Sequence, residues 1–410
     1  MATTTTTPET RPTPAIRPGS PELSELLARI AAGAEERERE LKPPFEAIGW
    51  IKDAGLGRLR IPVEEGGGGA TVRELFETVI ALAEADSNVA HILRTHFWFV
   101  EQQLVSPDPD ARARGIALLN SGALVGNGFS EQSKHPVGLY FDTAFKSDPD
   151  GGYRLSGTKY YSTGTLYSDY TQIWAAAPDS RIAGAVIPID REGVTVEDDW
   201  DGFGQRLTAT GTTRLENVHV AEDEYYDLGL PDGPLPPSYY GAFLQLYLQA
   251  LTAGILRSVR NDAVALAKRR RRNFSHATTP QTAADDRQVL QVVGEIASDA
   301  FAAEALVVLA AERIQDAVDS VVDGIPTAEA AEAAQLAAAE AKVAVDHFSY
   351  ATAGKLFDVG GASATQAVYN LDRHWRNVRT ISTHNPTFLK ASAIGDNIAH
   401  GTSFPANAYF

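Results

Sequence analysis

His384, in the run Ser382-Thr383-His384-Asn385-Pro386, is the residue of this chain best placed by type and setting to do chemistry. Asn385 and Pro386 read as the N-cap and first residue of a helix. The positive end of such a helix lowers an imidazole pKa and keeps the ring neutral near pH 7. A neutral imidazole donates a proton from one nitrogen or accepts one at the other. No Asp or Glu occurs from Arg373 to Gly395, nor in Tyr239–Asn261, so chemistry that needs a carboxylate base has no candidate in either segment. His91 is a second candidate. His96 lies five residues further on, which puts the two histidines on different sides of a helix, and no HExxH pattern occurs, so a metal site is not expected.

Three zones must position these residues. From about Glu22 to Ser121 the pattern is helical: Leu75, Val79 and Leu82 fall at i, i+4 and i+7, with Glu74, Glu77 and Glu84 mostly between them. The glycines of 66–69 separate a predicted helix Phe45–Ala54 from another, Val72–Ala85. With no GK[ST] behind them, they read as a turn rather than a phosphate cradle. From about Gly126 to Asp227, stretches such as GGYRLSGTKYYSTG, TQIWAAA, AGAVIPI and TTRLENVHV predict a mainly antiparallel β-domain. From Pro236 onward helices are predicted over Tyr239–Arg272, Asp285–Val318, Thr327–Phe357, Thr365–Val378 and Pro386–Ala399, the long ones joined by short loops as in an antiparallel bundle. The expected class is α+β. It divides into a disordered tail 1–20, a helical domain 21–124, a β-domain 125–235 and a helical bundle 236–410 that ends in a tail.

Composition narrows the function. A chain of 410 residues with a formal charge of -17 lacks the basic surface that nucleic-acid binding needs. Its one basic run is Lys268–Arg272. The absence of cysteine excludes disulfides, thiolate catalysis and iron–sulfur clusters together. No apolar run approaches the roughly 18–20 residues of a membrane span, and the Thr/Pro-rich start has no signal-peptide core, so a cytoplasmic location is the default.

Several motifs fall in one familiar order. They are IPVEEGGGG at 61–69, Ala85-Asp86-Ser87 followed by His91, NGFSE at 127–131, GTKYYSTG at 157–164, and Val359-Gly360-Gly361. Together they resemble the acyl-CoA dehydrogenase superfamily over residues 22–400. AHILRTH at 90–96, Asp198-Asp199-Trp200, DRHWRNVRT at 372–380 and His384-Asn385-Pro386 resemble its flavin-dependent monooxygenase branch. Dibenzothiophene monooxygenase, the sulfur-acquisition oxidoreductases and the nitrososynthases belong to that branch. Dehydrogenases of the superfamily carry a glutamate near His384 or on the first bundle helix; here both places are empty.

The resemblance implies a two-component monooxygenase that takes reduced FMN from a separate NAD(P)H:flavin reductase, since no GxGxxG unit for a nicotinamide follows a strand. FAD is the second choice of flavin. The implied chemistry is oxygenation of a sulfur or nitrogen atom through a flavin C4a-hydroperoxide, which needs neutral donors in a dry pocket. On this view His384, His91 and Thr163 are catalytic. Asn127, Ser130, Tyr161, Ser162, Thr163 and Trp200 contact the flavin ring, and Arg270 and Arg272 contact its phosphate. A homotetramer is implied as well. The alternatives are an FAD-dependent acyl-CoA dehydrogenase or oxidase with a displaced base, and a catalytically silent scaffold. The aromatics Phe404, Tyr409 and Phe410 predict that the final segment docks on protein rather than trailing in solvent.

Overall fold

The structure is a computed structural model that describes residues 14–134, 140–179, 181–227, 236–270, 283–405 and 407–410. Seven helices come first: α1 (Pro21–Ala32), α2 (Ala34–Glu40), α3 (Phe45–Asp53), α4 (Val72–Ala85), α5 (Ser87–Ile92), α6 (Arg94–Leu104) and α7 (Pro109–Asn120). Helix α4 starts at a reciprocal cap: Thr71 accepts from the Glu74 amide and the Glu74 carboxylate accepts from the Thr71 amide. Its buried stripe of Val72, Leu75, Phe76, Val79, Ile80, Leu82 and Ala83 faces the bundle. The glycine turn at 66–69 spends its amides on its own backbone, Gly68 on the Arg58 carbonyl and Gly69 on that of Ile61, so it cradles no phosphate.

The sequence-predicted tail is shorter than 1–20. Residues 1–13 lie outside the described residues, but Ile16 is buried and its amide bonds the Ala54 carbonyl at 3.1 Å. A lone apolar residue inside a Pro/Thr-rich stretch found a place in the helical core.

The middle of the chain is one curled sheet of β1 (Val125–Gly128), β2 (Ala144–Ser147), β3 (Tyr153–Lys159), β4 (Tyr170–Ala176), β5 (Ile182–Pro188), β6 (Val194–Val196), β7 (Thr213–Val220) and β8 (Tyr225–Asp227). The order is β6-β7-β3-β2-β4-β5-β8, with β1 added alongside β4. Pairing is antiparallel except that β1 and β2 run parallel to β4. Phe145, Leu155, Ile173, Ala185, Leu215 and Val218 form its own core. Trp174 of β4 stacks on Trp98 of α6 with centroids 5.5 Å apart, tying sheet to helices.

The bundle contains α8 (Tyr240–Arg269), α9 (Arg287–Asp319), α10 (Ala328–Gly360), α11 (Asp372–Ser382) and α12 (Thr387–His400). Helix α8 is buried on every side from Gly241 to Leu256, which is why it carries no acidic residue there. The predicted helix Thr365–Val378 is not continuous. Short 3₁₀ turns occupy Ala362–Thr365 and Ala367–Tyr369, Asn370 takes a left-handed φ of 45°, and only then does α11 begin. Among the described residues no helix is long and apolar enough to cross a membrane.

Candidate active site

A cavity of about 750 Å³ opens where the sheet, α5, α6, α8, the turn before α12 and the segment 407–410 converge. Local sequence aims each wall. The Asp86 carboxylate caps α5 by accepting from the Asn88 and Val89 amides at 3.0 and 3.3 Å, and its other oxygen holds Arg37 at 2.8 Å. That cap fixes the direction in which α5 presents His91. Directly against the end of α5, Gly164 has φ 79°, and a Cβ there would collide with the Ile92 carbonyl. Glycine therefore lets the loop carrying Tyr161 and Thr163 press against the end of α5.

His91 is buried, and its Nδ1 lies 2.9 Å from Oε1 of Gln205. The Gln205 amide nitrogen donates to Ser87 Oγ at 3.1 Å, so its oxygen is the atom facing His91. The Gln205 backbone N–H in turn donates to Oδ1 of Asn377 at 2.6 Å. His91 therefore carries its proton on Nδ1 and offers a lone pair at Nε2, an atom with no protein partner. Burial first, then the neighbouring Arg94, pushes its pKa down to about 3, against the smaller opposing pull of Gln205.

His384 has the same tautomer, fixed by a different neighbour. Arg94 Nη1 donates to its Nε2 at 3.3 Å, and a guanidinium has no lone pair with which to accept, so Nε2 must be the acceptor. The proton of His384 thus sits on Nδ1. The ring is accessible through the cavity yet enclosed by protein. Burial, then Arg94, His91 and Lys342, hold its pKa well below the ordinary value. The neutral state expected from the sequence is present, but its cause differs. Asn385 is not the cap: Pro386 occupies the N-cap position of α12 without a side-chain bond, and the Asn385 amide donates to Oε1 of Gln245 on α8.

Thr163 lines the cavity at the end of a hydroxyl chain whose direction is fixed. Thr208 donates to the Gln205 carbonyl at 2.8 Å, so Thr210 must donate to Thr208 at 2.7 Å and Thr163 to Thr210 at 2.9 Å. Thr163 consequently shows the cavity lone pairs, an acceptor where a donor was expected. Asn127, Ser130, Tyr161 and Trp200 line the same wall. Tyr161 holds a left-handed φ of 56° and meets Trp200 edge-on at 6.2 Å, while the Trp200 indole N–H is held by the Gln205 carbonyl at 3.1 Å.

Two expected flavin contacts are not brought to the cavity. Ser162 is fully buried behind it with a partnerless hydroxyl, because the turn at Tyr161 rotates it inward. Arg270 lies at the end of α8 and donates to the Val359 carbonyl at 3.1 Å, beside the Gly361 turn and off the cavity wall. Arg272 lies outside the described residues. His96 is also off the wall, with Nε2 on the Gly57 carbonyl at 2.9 Å and Nδ1 accepting from the Val125 amide at 3.1 Å. It belongs to α6, not to the helix of His91, because the chain breaks at Leu93.

The lining also contains residues that the sequence did not single out: Arg94, Gln205, Thr210, Lys390 and Glu131. Arg94 lay inside the quoted 90–96 motif and Glu131 inside NGFSE, so motif membership was their only signal. Glu131 is the one acidic side chain of the described lining, and it is fully engaged. It accepts from Lys159 at 2.5 Å, from the Asp142 amide at 2.6 Å and from the Thr143 amide at 3.1 Å. Lys159 and these bonds outweigh burial and lower its pKa, which makes it a poor base.

A cavity of this size holds a tricyclic ring with a small substrate beside it. The Asn127 amide, the Thr163 lone pairs and the aromatic Tyr161 and Trp200 suit a flavin. Residues 246–387 match the family model described as acyl-CoA dehydrogenase, C-terminal domain. The chain is 29% identical to a dibenzothiophene monooxygenase of Mycolicibacterium goodii over 91% of this chain and 92% of that one. The FMN-bound structure of TdsC from Paenibacillus sp. A11-2 superposes with a TM-score of 0.86 at 27% identity, covering 95% of this chain and 99% of that one. Methanesulfinate monooxygenase MsuC from Pseudomonas fluorescens gives 0.85 at 28% identity, covering 95% and 100%. The fold is thus acyl-CoA dehydrogenase-like, and the chain is similar in sequence and structure to flavin-dependent monooxygenases of that fold.

Proposed function

We propose that the chain is the oxygenase component of a two-component system that oxygenates the sulfur of a small organic molecule. The observation that carries this reading is the pair of neutral imidazoles, His91 accepting at Nε2 and His384 donating at Nδ1, in a cavity whose one acidic side chain among the described residues is tied up. A dehydrogenase needs a free base for the α-proton of an acyl thioester, and Glu131 cannot serve. When bound, reduced FMN supplies the two electrons and two protons that turn one atom of O₂ into water while the other joins the substrate sulfur. The protein's part is to hold, orient and keep dry. Asn127, Ser130, Tyr161, Thr163 and Trp200 would hold the ring, with the Thr163 lone pairs available to accept a hydrogen bond from it. His384 holds a donatable proton at Nδ1, and His91 receives a proton at Nε2.

The reductase partner and a cytoplasmic setting are part of this reading. So is a homotetramer, supported by Phe301 at 75% exposure and Leu309 at 51% on α9, and Phe388 at 72% and Ile398 at 70% on α12. An assembly of this kind gives Arg270 and Arg272 a flavin phosphate to meet across an interface, a contact that Arg270 does not make with the cavity of its own chain. Light scattering at micromolar concentration should give four chains, and a monomer would contradict the assembly. The function is tested by supplying a flavin reductase, NADH and FMN and screening organosulfur compounds for O₂-dependent gain of one oxygen. Bleaching of a bound FAD by an acyl-CoA, with no oxygenated product, would assign the chain to the dehydrogenases instead.

A further inference from the structure

Two cations in the cavity have no carboxylate. Arg94 is buried, and its described bonds go to the Leu244 carbonyl at 3.0 Å and to neutral His384. Lys390, also buried, donates to the Tyr409 carbonyl and lies 3.5 Å from the centroid of the Phe410 ring. The neighbouring carboxylate, Asp346, is taken by Lys342 at 2.7 Å and by the Thr387 hydroxyl at 2.6 Å. Glu131 is likewise held by Lys159, so among the described lining side chains Arg94 and Lys390 are the basic groups without an acidic side chain as partner, and burial lowers the Lys390 pKa to about 7, a cost that a bound anion would relieve. Carbonyls and a ring face reduce the cost of a buried cation but do not cancel its charge. An arginine cannot escape that cost by deprotonating. Both line the cavity with His384, Arg94 from α6 and Lys390 from α12. Around them Leu244, Leu248 and Leu389 are apolar.

We propose that Arg94 and Lys390 form an anion subsite that selects an organosulfur acid, one with an apolar body and a charged head such as a sulfinate, over neutral sulfur compounds. This assignment rests on the reading of the cavity as the oxygenase site. Pairing Arg94 with an anion also places that head beside His384, so that substrate charge and proton donor share one guanidinium.

The test is equilibrium binding without turnover, with benzenesulfinate and neutral methyl phenyl sulfoxide as probes, by calorimetry on the full chain. The wild type should prefer benzenesulfinate. Lys390→Met and Arg94→Met should each weaken it about tenfold or more, the typical worth of one charge-assisted hydrogen bond, while the sulfoxide moves little. Lys390→Arg should restore binding, which separates lost charge from a loosened final segment. Equal weakening of both probes would overturn the proposal. So would a loss of preference for FMN over riboflavin in either Met variant, since the cations would then serve the flavin phosphate. A chain that oxygenates only neutral sulfides, with unchanged rates in the Met variants, would keep the oxygenase reading and sink the anion subsite alone.

Discussion

At the residue scale the account rests on where two protons sit. His91 accepts at Nε2 because Gln205, itself oriented by Ser87 and Asn377, receives its Nδ1–H. His384 donates at Nδ1 because Arg94 occupies its Nε2. His91→Ala and His384→Ala should keep the fold and lose oxygenated product on the order of 10²–10⁴-fold, the usual worth of a positioned acid–base group. H₂O₂ release should persist, because flavin reoxidation requires no protein acid or base. Gln205→Leu should depress the product in the same direction and abolish the Nδ1–H preference of His91 in its imidazole ¹⁵N shifts. Full coupling in any of the three variants would remove that residue from the mechanism.

Elements carry the site through contacts that side-chain type alone does not reveal. Gln245 of α8 ties the turn before α12 and the final segment to one helix, accepting from Asn385 and donating to the Ala408 carbonyl at 2.8 Å. Phe404 is buried and stacks on Phe410 at 5.6 Å, and Gly241 leaves room that a Cβ would deny to the Phe410 carbonyl. The final segment thus docks on its own chain, and Tyr409 and Phe410 form part of the cavity wall. If that wall keeps water out, deleting residues 402–410 raises H₂O₂ released per substrate oxygenated, with FMN affinity nearly unchanged. An unchanged ratio in the truncated protein would leave the segment a packing role only.

For the whole molecule, two buried neutral histidines set a pH dependence of stability. His91 and His96 titrate near 3 and 4 when folded, chiefly through burial, against about 6.5 unfolded. Between about pH 6.5 and 4 these two alone let the unfolded chain bind up to two more protons than the folded one, and His374, lowered to about 4, and His384 act in the same direction. Stability present above pH 6.5 is lost as pH falls, His91 and His96 together contributing a slope of up to about 2.7 kcal/mol per pH unit. Urea midpoints should drop from pH 7 to pH 5, and less so in His96→Asn; a constant midpoint would refute this. Much of the scaffold was legible in the sequence, because α4 and α8 carry strong periodic or unbroken apolar signals and the strands lie between Gly and Asp punctuation. The histidine pair was legible through its motifs. What escaped depends on three-dimensional neighbours: the direction of the Thr163 hydroxyl chain, the inward turn of Ser162, the bond of Asn385 to α8, and the two cations without carboxylates. Local rules also mistook 365–378 for one helix, since they do not register the left-handed residue at Asn370 that interrupts it.

The central claim is that this cavity transfers oxygen rather than hydride. The most direct measurement mixes the protein with chemically reduced FMN, an organosulfur substrate and ¹⁸O₂, with no reductase present, and weighs the product of a single turnover. One ¹⁸O atom in the product, lost when His384 is replaced by Ala, is the expected result. Unlabelled product, or label retained in full by the His384→Ala variant, would contradict the account.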